Sequence, residues 1–176
     1  MFADESGFSL IPLIRRTWAI EGQTPIIRHC FNWPKLSAIS AVSTQSRIYM
    51  KLLLNKTVKS HNVIAFLSHL LKLVKGMIIL VWDRIQTHRS TIVKEFIKSN
   101  SQRLKVYYLP PYAPDLNPAE GIWNHIKWQE LANYCPRNLS ELVKAIKRST
   151  GNIRNRPKLI RSFLHATPLN FDHLVN

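Results

Sequence analysis

A chain of 176 residues with 45% hydrophobic content holds one sizeable core and leaves too little length for a second of similar size. Its longest strictly apolar run, Met77 to Trp82, is six residues, far short of the roughly twenty that a membrane-crossing helix needs, and "MFADESGF" has no basic segment leading into an apolar one, so a cytoplasmic protein is expected. The 25 Lys+Arg against 10 Asp+Glu give a formal net charge of +15, which favours a polyanionic partner.

In chain order, "FADESGFSL" reads as a first strand that begins almost without a beginning, truncated at the N-terminus. "KLSAISAVST" (35–44) alternates apolar and polar residues, and "RIYMKLLLN" (47–55) follows after a short Gln45-Ser46 turn, which predicts a hairpin. Over 61–75, Val63, Phe66, Leu67, Leu70, Leu71 and Val74 recur at helical spacing, so one stripe should bury against a sheet before Gly76 stops the helix. "MIILVWD" (77–83) has no alternation, the pattern of a strand covered on both faces, and it ends on Asp83.

A second helix is predicted from near Ser90, carrying Ile92, Val93, Phe96 and Ile97, and a short strand at 104–109 then runs into a loop where four prolines forbid further pairing. Helices fill most of the remainder, including a basic segment at about 138–165. Between Ser140 and Arg161 it holds seven cations, Lys144, Lys147, Arg148, Arg154, Arg156, Lys158 and Arg161, against the single acid Glu141, a clustering that suits phosphate. The element order implies a single α/β domain over 1–176 with a mixed sheet flanked by helices. Cys30 and Cys135 lack CxxC spacing or paired histidines, which predicts reduced structural thiols and no zinc.

Glu120 admits two readings. Asn117 can cap a helix with Pro118 at its first position, and Glu120 can fold back on the cap as Glu141 can after Asn138. Alternatively, Glu120 serves chemistry. Acids are scarce, yet Asp4 follows the first β-like stretch, Asp83 closes the most apolar strand and Glu120 opens the helix after the last strand. Three carboxylates at one rim of a sheet repel one another unless they share a cation, and hard oxygen ligands suit Mg²⁺ or Mn²⁺.

Other residues are expected to play plainer parts. Glu5, adjacent to Asp4 on a strand, points to the other face and is a poor metal partner. His88 either meets substrate phosphate or caps a turn. Asp115 is expected to hold its turn by an Asx-type hydrogen bond, and Trp123 to pack in the core.

"FADESGFSL", "ILVWDRIQTHRS" and "YLPPYAPDLNPAEGIWNHIK", in this order, resemble the three signatures of the DDE transposases of the mariner superfamily, in particular its bacterial insertion-sequence branch. The resemblance implies an RNase H-like fold with about five strands, in which Asp4, Asp83 and Glu120 are the catalytic acids and hold two Mg²⁺ or Mn²⁺ ions. The 36 residues between Asp83 and Glu120 match its usual interval. Cleavage of double-stranded DNA at transposon ends and transfer into target DNA are then implied, by a nucleoid-associated homodimer, with Arg84, His88, Arg89, Lys127, Lys144, Lys147, Arg148, Arg154, Arg156 and Lys158 as expected DNA contacts. The family's N-terminal helix-turn-helix region is not found in these residues, which suggests an upstream-encoded partner polypeptide. Arg84 departs from the small or polar residue that often follows the second aspartate: it points away, contacts the scissile strand, or marks a degenerate, non-catalytic copy that acts only as a basic DNA-binding module.

Overall fold

The computed structural model describes residues 1–28, 34–54 and 56–171. Cys30, His29, His173 and Asn55, the predicted end of the hairpin, lie outside them. Five strands, β1 (Phe2–Ser9), β2 (Lys35–Val42), β3 (Ile48–Leu54), β4 (Ile78–Trp82) and β5 (Leu104–Tyr108), form one mixed sheet in the order β3-β2-β1-β4-β5. β1, β2 and β3 pair antiparallel, whereas β4 runs parallel to both β1 and β5. The helices are α1 (Ser60–Leu73), α2 (Thr91–Ser99), α3 (Pro118–His125), α4 (Leu139–Arg154) and α5 (Pro157–His165); α3 runs on into a π-helical turn, Ile126–Glu130.

The expected hairpin is β2–β3, closed by Ser43 N–H donating to the Arg47 carbonyl at 2.9 Å, with Ser46 at a φ of 59°. α1 stops at Leu73 rather than at 75, and Gly76 takes a φ of 87° in the turn into β4, a conformation that costs little without a Cβ. The first strand, expected to be truncated, has eight residues, all in register with β2; it is short only towards β4, where Phe2 with Val81 is the one Cα pair.

Strand alternation divides the core in two. Phe66, Leu67 and Leu70 of α1 and Val93 of α2 pack with Ile78, Leu80 and Trp82 of β4 on one face. Ile122, Trp123, Ile146, Ile153, Ile160 and Leu164 of α3 to α5 pack with Phe2, Phe8, Leu36 and Val42 on the other. Full burial of side chains this large contributes roughly 1.5–3 kcal/mol each. Gly121 allows α5 to press on α3, since a Cβ there would lie 3.1 Å from the Phe163 ring.

One strand expectation is corrected, at β4. β2 is buried on both faces, because Ala38, Ser40 and Ala41 are small enough to lie under helices on either side. β4, predicted to be covered on both faces, is fully covered on one and only partly on the other, where Val81 is half-buried against the α3 to α5 core and Ile79 is 52% exposed. The reason is reach, since α3 crosses β1 and β2 and α4 lies on β3. Among the described residues no helix is long and apolar enough to cross a membrane.

Candidate active site

The sheet itself brings the first two acids together. Phe2 stands beside Val81 in the parallel pairing, so a one-to-one continuation puts Asp4 level with Asp83, the residue just past the end of β4. β1 continues beyond this level with only β2 as neighbour, which leaves Asp4 at an open rim although it lies within a strand.

The third acid arrives by the proline-rich loop. Leu109 N–H donates to the Trp82 carbonyl at 2.8 Å as the last link to the sheet. Tyr112 then takes a φ of 55°, a single 3₁₀ turn covers Pro114–Leu116, and Asn117 starts α3. Asn117 is 4% exposed and works in two directions. Its Oδ1 accepts from Ala119 N–H at 3.2 Å, and its Nδ2 donates to the Ala3 carbonyl at 3.1 Å. The cap of α3 is thereby fastened to the strand one residue before Asp4, which sets Glu120 against Asp4.

Glu120 does not fold back on its cap. Only its backbone N–H bonds there, to the Asn117 carbonyl at 3.0 Å, and among the described residues its carboxylate forms no hydrogen bond. Asp115 is exposed and likewise forms none, so the expected Asx bond is replaced by Leu116 N–H to the Ala113 carbonyl at 3.2 Å and Asn117 N–H to the Pro114 carbonyl at 2.8 Å.

Asp4, Asp83 and Glu120 line one cleft of about 580 Å³, walled by Leu109 to Pro114 and by Arg84, Ile85 and Arg89. Burial, then the charges of Glu120, Glu5 and Asp83, push the Asp4 carboxyl up to about 8. Burial also raises Glu120, with Asp83 adding to the shift and Lys127 opposing it. The Oδ2 of Asp4 is buried and, among the described residues, has no hydrogen-bond partner. An orphaned carboxylate oxygen facing two further carboxylates is the donor set of a hard divalent cation, so these residues fit Mg²⁺ or Mn²⁺.

The expected DNA contacts separate. Arg84 and Arg89 are exposed at the cleft, and Arg84 Nε donates to the Leu109 carbonyl at 3.1 Å, which holds the guanidinium against the cleft wall. Lys127 is half-buried, its Nζ 5.4 Å from the centroid of the Phe8 ring. Lys144, Lys147, Arg148, Arg154, Arg156 and Lys158 are exposed. Lys147 and Arg154 line a separate groove against β3, where Arg154 Nε donates to the Ile48 carbonyl at 3.2 Å. Trp123, 1% exposed and edge-on to Phe8, is a core residue.

His88 is corrected. It is 1% exposed, its ring stacks on Trp82 at 4.0 Å, Nδ1 lies 2.8 Å from Asp83 Oδ1, and Nε2 lies 2.7 Å from Glu5 Oε1. With both nitrogens on carboxylates it has none for a DNA phosphate. Burial works to lower its pKa, but the bonds to Asp83 and Glu5 outweigh burial and hold it at about 9. Burial would raise Asp83, and the His88 bond reverses that and lowers it. Glu5 does take the opposite face from Asp4, as strand alternation predicts, but it meets His88 there. Its role was invisible without knowing that β4 is the neighbour of β1.

Three solved structures share this fold. The chain is similar to the mariner Mos1 transposase in a paired-end complex with Mg (TM-score 0.69, 17% identity, 94% of this chain and 52% of that one). It is also similar to the Mos1 strand transfer complex (TM-score 0.65, 18% identity, 97% and 55%) and to the isolated catalytic domain of Mos1 (TM-score 0.58, 12% identity, 96% and 84%). These likenesses show the shared RNase H-like fold, and the chain spans about half the length of the transposases in the complexes. No curated protein sequence matches it. Residues 1–143, which include all three acids and the loop that delivers Glu120, match the family described as DDE superfamily endonuclease, and the chain belongs to that family.

Proposed function

We propose that this chain is the catalytic domain of a DNA transposase, which hydrolyses phosphodiester bonds at transposon ends and transfers the freed 3′-hydroxyl into target DNA. The observation that carries the reading is the convergence of Asp4, Asp83 and Glu120 on one cleft, with a buried Asp4 oxygen that has no donor among the described residues. These three residues would hold Mg²⁺ or Mn²⁺, two ions in this reading, as metals of both kinds accompany the similar Mos1 complexes. When bound, the metal supplies Lewis-acid activation of the attacking oxygen and stabilisation of the leaving one.

The chain's own residues do the rest. Arg84 and Arg89 offer guanidinium groups at the cleft for the phosphates flanking the scissile bond. The proline-stiffened wall keeps Glu120 at a fixed angle to the two aspartates, so little order has to be gained when DNA arrives. Lys144, Lys147, Arg148, Arg154, Arg156 and Lys158 extend the phosphate-binding surface beyond the cleft, and their contribution falls with salt.

Recognition of particular ends is assigned to a helix-turn-helix segment or polypeptide acting with this domain, and pairing of two ends to a homodimer. The paired-end assemblies of Mos1 support that picture. Work on double-stranded DNA in the nucleoid follows from the same reading.

The test is nicking of a supercoiled plasmid by the purified chain. Cleavage of low sequence specificity is expected only with Mg²⁺ or Mn²⁺, and Asp83→Asn should lower it by roughly 10³-fold or more. Cleavage that persists in chelator, or that survives Asp83→Asn, would refute the assignment.

A further inference from the structure

Glu5 and His88 do not line the cleft, yet they form a bridge to Asp83, which does, through contacts of 2.7 and 2.8 Å. Its parts come from three elements. Glu5 lies on the far face of β1, with its side chain 13% exposed, Asp83 directly follows β4, and His88 sits in the turn before α2. The ring has nowhere to go. Trp82 lies parallel to it at 4.0 Å and an interplanar angle of 3°, and Tyr108 Oη donates to the His88 carbonyl at 3.3 Å.

Ligation of a metal by this trio itself is a poor fit, although Glu5, Asp83 and His88 are close enough to offer one atom each. Both ring nitrogens already lie against carboxylate oxygens, Nε2 at 2.7 Å from Glu5 and Nδ1 at 2.8 Å from Asp83, and Trp82 covers the ring face, so the trio leaves no open side for an ion. What the bridge does accomplish is to fix one oxygen of Asp83. Oδ1 takes the Nδ1 contact at 2.8 Å and the Ile85 N–H at 3.2 Å. The carboxylate plane is thereby set, and Oδ2 remains for the cleft.

We propose that Glu5 and His88 are positioning residues for the reaction: Glu5 holds the imidazole through Nε2, and the imidazole holds Asp83 through Nδ1 with Oδ2 turned to the cation site. The inference rests on the metal-dependent reading of the cleft. Outer groups that orient a ligating carboxylate typically govern metal affinity by about 10–100-fold.

The experiment measures Mn²⁺ binding to the purified chain by calorimetry or by the loss of free-ion electron spin resonance signal, with melting curves to show that each variant is folded. Glu5→Gln keeps the side-chain length and an oxygen facing Nε2 but loses the charge. Glu5→Asp keeps the charge but is one methylene too short to reach 2.7 Å. Positioning by reach predicts that Glu5→Gln binds Mn²⁺ within about 3-fold of the parent and that Glu5→Asp binds about 10-fold more weakly. His88→Gln, whose amide reproduces Nε2 but not Nδ1, should be at least as weak as Glu5→Asp, and it decides the matter if the aspartate variant does not fold. Equal affinity in the parent, Glu5→Asp and His88→Gln, or Glu5→Gln as weak as Glu5→Asp, would overturn the inference alone. An unaltered chain that binds no Mn²⁺ would overturn the metal reading and this inference with it.

Discussion

Asn117-Pro118-Ala119-Glu120 and Asn138-Leu139-Ser140-Glu141 start two helices with the same spacing of amide and carboxylate, and they use the carboxylate in opposite ways. At α4 the pattern is spent locally. Asn138 Oδ1 accepts from Glu141 N–H at 3.0 Å, and the Glu141 carboxylate takes Arg137 N–H at 2.9 Å, Nε at 2.8 Å and Nη2 at 2.6 Å. These bonds to Arg137 hold Glu141 below the usual carboxylate range. At α3 the residue before the cap is Leu116, which has no side-chain donor, and Asn117 is turned towards β1. Glu120 is left unbonded in a cleft that raises its pKa. The motif specifies a helix start; its neighbours decide whether the acid is consumed in making one.

The sharpest way to break this comparison is to neutralise each glutamate in turn. Glu120→Gln should lower metal-dependent DNA cleavage by roughly 10³-fold or more, the scale expected when one member of a group acting as a unit is lost. Glu141→Gln should leave the cleavage rate of the folded protein unchanged. Rates measured side by side on one plasmid substrate decide it: equal losses would mean that both acids are structural, and no loss at Glu120 would remove it from the reacting centre.

Much of this site was legible in the sequence because its logic is local. Strand ends, a proline-stiffened loop and an N-cap can each be read within a few residues, and the three acids sit on such features. What stayed hidden depends on which strands are neighbours. Glu5 reads as the unused face of β1 until β4 is known to lie beside it, and the buried bridge through His88 follows from that adjacency. The same ignorance misassigned β4, whose unbroken apolar run predicts two covered faces although the helices of the second layer lie over β1 to β3. Asp115 misled for a different reason, because two backbone hydrogen bonds already close its turn.

The next contrast is electrostatic. In the metal-free protein Asp4 titrates at about 8, so at neutral pH it holds a proton that a cation must displace. Mn²⁺ affinity should therefore rise by about tenfold per pH unit up to about pH 8 and then level off, with one proton released per binding event below that point. Calorimetry in buffers of different ionisation enthalpy counts the proton.

Stability without metal should move the other way. Between the usual carboxylate range and about 8 the folded chain holds a proton on Asp4 that the unfolded chain lacks, and His88 does the same between 6.5 and about 9. Both contributions are lost as pH rises through the folded pKa. The Met1 amine, lowered to about 6 by burial, opposes them only between about 6 and 8. The metal-free melting temperature should thus fall from pH 6.5 to 9, and a rise across that range would contradict the charge assignments at the cleft.

The smallest effect tests the caps themselves. Asn138 is exposed and satisfies one backbone donor, so Asn138→Ala should cost about 1 kcal/mol of unfolding free energy, the usual value of a lost cap. Asn117 is buried and satisfies two backbone groups in different elements, the Ala119 N–H and the Ala3 carbonyl. Its replacement by alanine removes the cap and strands a buried acceptor, which should cost about 2–3 kcal/mol. Denaturant melts give both numbers. A difference of this sign also implies that Asn117→Ala loosens Glu120 relative to Asp4, so its cleavage rate should fall under conditions where the variant is fully folded, whereas Asn138→Ala should cut at the parent rate. If the two substitutions cost the same and neither slows cleavage, the bond from Asn117 to β1 is not what aims the third acid.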